Sequence, residues 1–182
     1  MGLRLSTFKT PSAYAAVVYR KGGFILHMLR SMMWDAKQGD KAFMEMMQDY
    51  VKTFMNRNAS TEAFVQVATR HMTPGMDLER NHRLDWFVRE WIYGTTIPKY
   101  KFDYNVTAAL DGKWQMKATL TQSEVEDNFM MIVPIYADFD GQVVRLGTVG
   151  MRGNSTNDRL QMLLPKKPKK VMINAFHDVL EM

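Results

Sequence analysis

Cysteine is absent from the 182-residue chain, which removes disulfide scaffolds, cysteine nucleophiles and thiolate zinc sites together. The absence does not fix a compartment, because oxidising compartments also hold Cys-free proteins, and localisation stays open. Long apolar runs are missing too. Those around 13–19 and 129–137 fall well short of the roughly 18 residues a membrane-crossing helix needs, so no membrane partner is expected. The first ten residues carry Arg4 and Lys9 but no apolar h-region, so no secretory signal peptide is expected within the chain, although a longer parent could have one. Met1-Gly2-Leu3-Arg4-Leu5-Ser6 fits the permissive N-myristoylation pattern, which a start methionine explains equally well.

Catalytic motifs are equally scarce. The four histidines, His27, His71, His82 and His177, show no H-E-x-x-H spacing, and the one local pair, His82 with Asp85, is a poor metal site. No cofactor or metal is therefore expected in this chain. His27 lies among Leu26, Met28 and Leu29 and reads as a buried, hydrogen-bonded structural histidine. No G-x-S-x-G elbow, P-loop or G-x-G-x-x-G run occurs, which leaves serine hydrolysis and nucleotide binding unsupported. Asn58, Asn105 and Asn154 open N-x-[ST] sequons, a common chance match.

What is present is the composition of a globular protein, 46% hydrophobic and 24% charged. The formal charge of +5 raises nucleic-acid binding, but the cations are dispersed. The one cluster, Lys166, Lys167, Lys169 and Lys170 around Pro168, lacks interleaved aromatics and reads as a solvated loop, so no nucleic-acid partner is expected. Seventeen methionines are unusual; Met44, Met46, Met47 and Met55 fall in a helical pattern and read as core.

The hydrophobic period changes once, near Pro98. Before it, Pro11 and Ser12 open a helix carrying Val18, Ile25, Leu29 and Met32, ending around Gly39 and Asp40. A second, with Asp40 as N-cap, places Phe43, Met47, Tyr50 and Phe54 on one stripe. A third, capped by Ser60 or Thr61, carries Phe64, Ala68 and Met72 as far as Thr73-Pro74-Gly75, and a fourth carries Leu84, Phe87, Val88 and Trp91 before Gly94. After Pro98 the period is two, with Tyr100, Phe102, Tyr104 and Val106 alternating with polar residues. Further strands are expected at 114–120, 129–137, 143–151, 159–164 and 171–174. Asp111-Gly112 and Asp140-Gly141 predict type I′ hairpin turns. The expected fold class is α+β in two parts: an all-α segment over 1–97, then a small antiparallel β-sandwich over 98–182.

One segment needs a further reason. In Tyr19-Arg20-Lys21-Gly22-Gly23-Phe24-Ile25-Leu26-His27-Met28-Leu29-Arg30 a paired glycine interrupts a strong helix at about 1 kcal/mol each, suggesting close approach of another backbone. This segment resembles the aminopeptidase N family of zinc metallopeptidases (gluzincins), in which a Tyr-x-Lys-Gly-Ala-like motif opens a helix that runs on rich in Leu and Met. The resemblance continues, in family order, through GDKAFMEMMQDYVKTF from Gly39, ASTEAFVQVA from Ala59 and LDWFVREWIYGTTIPKYKFDYNV from Leu84 to Val106. It is weakest over the strands, where layout and the PKKVMINAFHDVL ending carry it. Arg20 and Gly23 are mild departures from a commonly acidic residue and a commonly Ala position.

The resemblance implies that Tyr19 is the family's transition-state tyrosine, donating to the oxyanion formed when water attacks the peptide carbonyl; a tyrosine merely packed at a helix interface is the alternative. It also implies zinc and a peptide substrate in the parent. The family's H-E-x-x-H helix, third glutamate ligand and G-x-M-E-N loop have no counterpart here, so the chain is expected to be a C-terminal fragment, inactive alone. With the first helix uncovered at Val17, Val18, Phe24 and Leu26, self-association is expected. A non-catalytic protein-interaction module is the rival reading.

Overall fold

The structure, a computed structural model, describes residues 9–182; the myristoylation and signal-peptide expectations fall outside or at the edge of these residues. Pro11, whose ring fixes a helical φ and whose missing N–H costs nothing in a first turn, opens α1 (Pro11–Tyr14). The helix passes without a break through a π-helical stretch (Ala15–Lys21) into α2 (Gly22–Met33). A bridge between Asp35 and Gly39 closes the loop to α3 (Lys41–Phe54). Asp40 occupies the N-cap position but makes no capping bond, because its carboxylate accepts from Arg30 instead. Ser60 caps α4 (Thr61–Arg70) by accepting from the Ala63 N–H at 3.2 Å, and the helix stops before Met72. The fourth expected helix is α5 (Asp85–Phe87) continued by a second π-helical stretch (Val88–Tyr93).

The period-two half forms six strands: β1 (Lys99–Ala108), β2 (Trp114–Ser123), β3 (Met130–Phe139), β4 (Gln142–Arg152), β5 (Ser155–Leu164) and β6 (Lys170–Ile173). They pair antiparallel in two sheets ordered β1-β2-β5 and β4-β3-β6. The α+β two-part architecture is therefore present. Both Asp-Gly pairs take positive φ, Asp111 at 58° with Gly112 at 70° and Asp140 at 59° with Gly141 at 91°, as their hairpin turns require. Every residue of β3 except Asp138 is buried, while β2 buries alternate residues, Met116, Ala118, Leu120 and Gln122.

One hydrophobic cluster runs through both halves, from Met28, Leu29 and Met33 of α2 past Trp86 and Phe87 to Leu120, Phe129 and Met131. Two sequence expectations need correction here. Met46 is fully buried, but Met44 is 53% exposed, because one apolar stripe is all that α3 offers the core, and Met55, the residue after the helix ends, is 62% exposed. The Gly22-Gly23 pair meets no close backbone: a Cβ on Gly23 would find nothing within 4 Å, and on Gly22 only the Val17 carbonyl at 3.9 Å. The Lys166 to Lys170 loop is exposed around a buried Pro168. No helix among the described residues is long and apolar enough to cross a membrane.

Candidate active-site tyrosine

Tyr19 lies inside the first π-helical stretch and is 67% exposed. A π turn widens the helix and commonly marks a functional position. No residue of Pro11–Tyr14 or Ala15–Lys21 is buried, and Val17 and Val18 are each 43% exposed beside the tyrosine. The Tyr14 ring stands edge-on to that of Tyr19 with centroids 5.7 Å apart. A hydrogen bond with the Tyr19 phenol, and repulsion between the two groups when ionised, hold the Tyr14 phenol above the ordinary tyrosine range. The pair thus presents hydroxyls on an open helix face.

What holds this turn in place is Lys21. Its ammonium donates to the Gly94 carbonyl at 2.7 Å and the Ile92 carbonyl at 3.4 Å, tying the end of one π-helical stretch to the end of the other. Desolvation in this half-buried position lowers the Lys21 pKa, yet the two carbonyls compensate a cation that a helix C-terminus favours. Gly94 permits the approach of the chain at this corner, since a Cβ there would lie 2.3 Å from the Glu90 carbonyl oxygen. The motif lysine was visible in the sequence; its partner, 73 residues on, was not.

The remaining candidates separate. His82 faces Asp77, Nδ1 to Oδ2 3.1 Å, and Asp85 pairs with Arg83 at 2.7 Å, so the two are not one site. His27 is not buried as expected: its side chain is 37% exposed at the edge of a cleft, where its Nε2 lies 3.3 Å from the Phe176 carbonyl. Among the described residues no group of three or more His, Cys, Asp or Glu could hold a metal ion.

The comparison with family models returns one description, the peptidase family M1 domain, matched over residues 6–91. Those residues belong to peptidase family M1. The match contains Tyr19, Lys21 and the helices up to Trp91, and supports at family level the likeness to the aminopeptidase N type of metallopeptidase. No curated protein and no solved structure matches the chain. The M1 segment ends within the second π-helical stretch, before the strands begin at Lys99.

Proposed function

We propose that this chain acts within a longer zinc-dependent aminopeptidase-like protein that hydrolyses peptide bonds at N-termini, its helices walling the active site and its strands forming the following sandwich. The observation carrying the reading is an exposed Tyr19, on a π-helical turn, within the M1 match. The described residues do not fit a zinc ion, so zinc in that enzyme is held by residues outside this chain. The chain alone is then inert.

Tyr19 contributes one hydrogen bond. When water adds to the peptide carbonyl, the oxygen gains negative charge, and a phenol O–H aimed at it stabilises the transition state more than the ground state. Lys21 sets where that phenol stands by fixing the end of its turn. In the isolated chain, where this face at Val17 and Val18 is open, a second copy is expected to cover it; a pure interaction module would use the same face without needing the phenol.

Tyr19→Phe in the full-length parent separates the two. The ring and its contact with Tyr14 survive, while the donor is lost. Turnover is expected to fall by the equivalent of about 2.7–4 kcal/mol, roughly a hundredfold or more, with the Michaelis constant little changed. Unchanged turnover removes Tyr19 from the active site.

A further inference from the structure

A cleft of about 370 Å³ opens on another face of the molecule, between α2, the β3-β4 hairpin and the C-terminal tail; small-molecule sites run upward from about 300 Å³. Its apolar walls are Trp34, Tyr136, Val143 and Phe176. Two charged groups face it without being paired to each other. Arg145 donates to the Ser31 carbonyl at 2.7 Å and lies 5.3 Å from the centre of the Trp34 ring. Among the described residues it has no carboxylate within 4.0 Å. Its burial lowers its pKa, with Asp178 acting only through longer-range attraction.

Opposite it, Asp178 is a carboxylate whose side chain is 8% exposed. Its Oδ2 accepts from the Tyr136 hydroxyl at 2.7 Å, whereas among the described residues Oδ1 has only His27 Nε2, at 4.0 Å. Burial, then the Asp178 contact, raise the Tyr136 pKa, which keeps it a donor. The tail is fixed by Asn174, whose side chain donates to the Val179 carbonyl and accepts from the Val179 N–H, both at 2.8 Å.

Arg145 is present on this face because of an irregularity. Ile135 pairs with Gly147, but Tyr136 pairs with Arg145, so Leu146 is an extra residue in β4. In regular register Tyr136 would oppose Leu146, and Arg145 would point to the other side of the sheet. Bulges often re-aim a side chain next to a binding site.

We propose that this cleft binds a free α-amino acid with an aromatic or large apolar side chain, its carboxylate on Arg145 and its ammonium on Asp178, its side chain against Trp34 and Phe176. A guanidinium on a carboxylate and a buried carboxylate on an ammonium are the strong, charge-assisted pairs; among the described residues Arg145 has no carboxylate within 4.0 Å and Asp178 no Lys or Arg, only the Tyr136 hydroxyl and, at 4.0 Å, His27. The remaining charges do not alter this, since Arg30 and Asp40 neutralise each other at the rim. The inference does not depend on the catalytic reading.

The test titrates L-phenylalanine into the purified chain by calorimetry, beside 3-phenylpropionate, which lacks the ammonium, and phenethylamine, which lacks the carboxylate. Phenylalanine is expected to bind, and each analogue to bind at least about tenfold more weakly, having lost one charge-assisted pair. Asp178→Asn should weaken phenylalanine but not phenylpropionate; Arg145→Met should weaken phenylalanine but not phenethylamine, a selectivity that loss of folding cannot imitate. Should either variant fail to fold, Val143→Trp fills the cleft without removing a charge and should abolish binding. No phenylalanine binding, phenylpropionate as tight as phenylalanine, or binding that survives Val143→Trp overturns the proposal.

Discussion

At Gly23 a methyl group has room and the backbone is already helical, so the residue gives the native state nothing that alanine would not. Glycine's cost there lies in the unfolded chain, whose extra freedom must be given up. Gly23→Ala is therefore expected to stabilise the isolated chain by about 0.4–1 kcal/mol, read as a shift in the urea midpoint at unchanged slope; a loss of stability would mean that something does pack there. Single residues were the least legible scale. Tyr19 and Lys21 are visible as a motif, but the apolar sequence neighbours of His27 predict burial that the fold does not give it. On a helix those neighbours point elsewhere, and His27 stands over the cleft. Met44 is apolar but on the wet side of α3, and Met55 is apolar but lies just past the end of that helix.

Among the elements, α3 and α4 are joined by one carboxylate. Asp49 lies 2.9 Å from His71 Nε2 and accepts from Arg70 at 3.0 Å and Thr53 at 3.1 Å. The His71 contact first, then Arg70, hold its pKa at about 2, below the ordinary 3.8. Because the folded value is the lower one, this stabilisation is fully present above the ordinary value and is lost as the pH falls through the folded one. Thermal stability should therefore drop between pH 3.8 and about 2, and less steeply in Asp49→Asn, followed by circular dichroism. Equal slopes would show that the tie contributes nothing. Elements were also where the sequence was most readable. Pro11, Ser60 and the Asp-Gly pairs have a local cause for a local geometry, and a change of period from 3.6 to 2 needs only a dozen residues to show. The π turns escaped, since one extra residue in seven barely disturbs a hydrophobic stripe, and so did the Leu146 bulge.

At the scale of the whole molecule, the first helix is the imbalance. Met28, Leu29, Met32 and Met33 sit in the core, while the preceding three turns bury nothing. Two copies that cover this face remove Val17 and Val18 from water, and the isolated chain is expected to dimerise at high concentration. Val18→Lys should return it to a monomer with its melting temperature at low concentration unchanged, both read by light scattering and calorimetry. A wild-type monomer at all concentrations counts against the pairing. None of the long-range joins that build the molecule, Lys21 with Gly94, Arg145 with Ser31 or Tyr136 with Asp178, has a local sequence signal, because each joins residues that only the fold makes neighbours.

The π-helical turn around Tyr19 has a genetic meaning as well as a mechanical one. Such a turn holds one residue more than the α-helix it interrupts, so it is equivalent to a single inserted codon. Removing that codon would let Pro11–Met33 run as regular α-helix, and everything before the deletion would swing by about 100° around the axis relative to α2. The shortened helix would hydrogen-bond better and would turn the Tyr14 and Tyr19 phenols toward a different side. The extra residue thus acts as an azimuth setting, retained at some expense of helix regularity, and an in-frame deletion here would trade direction for stability without changing the chemistry of any side chain.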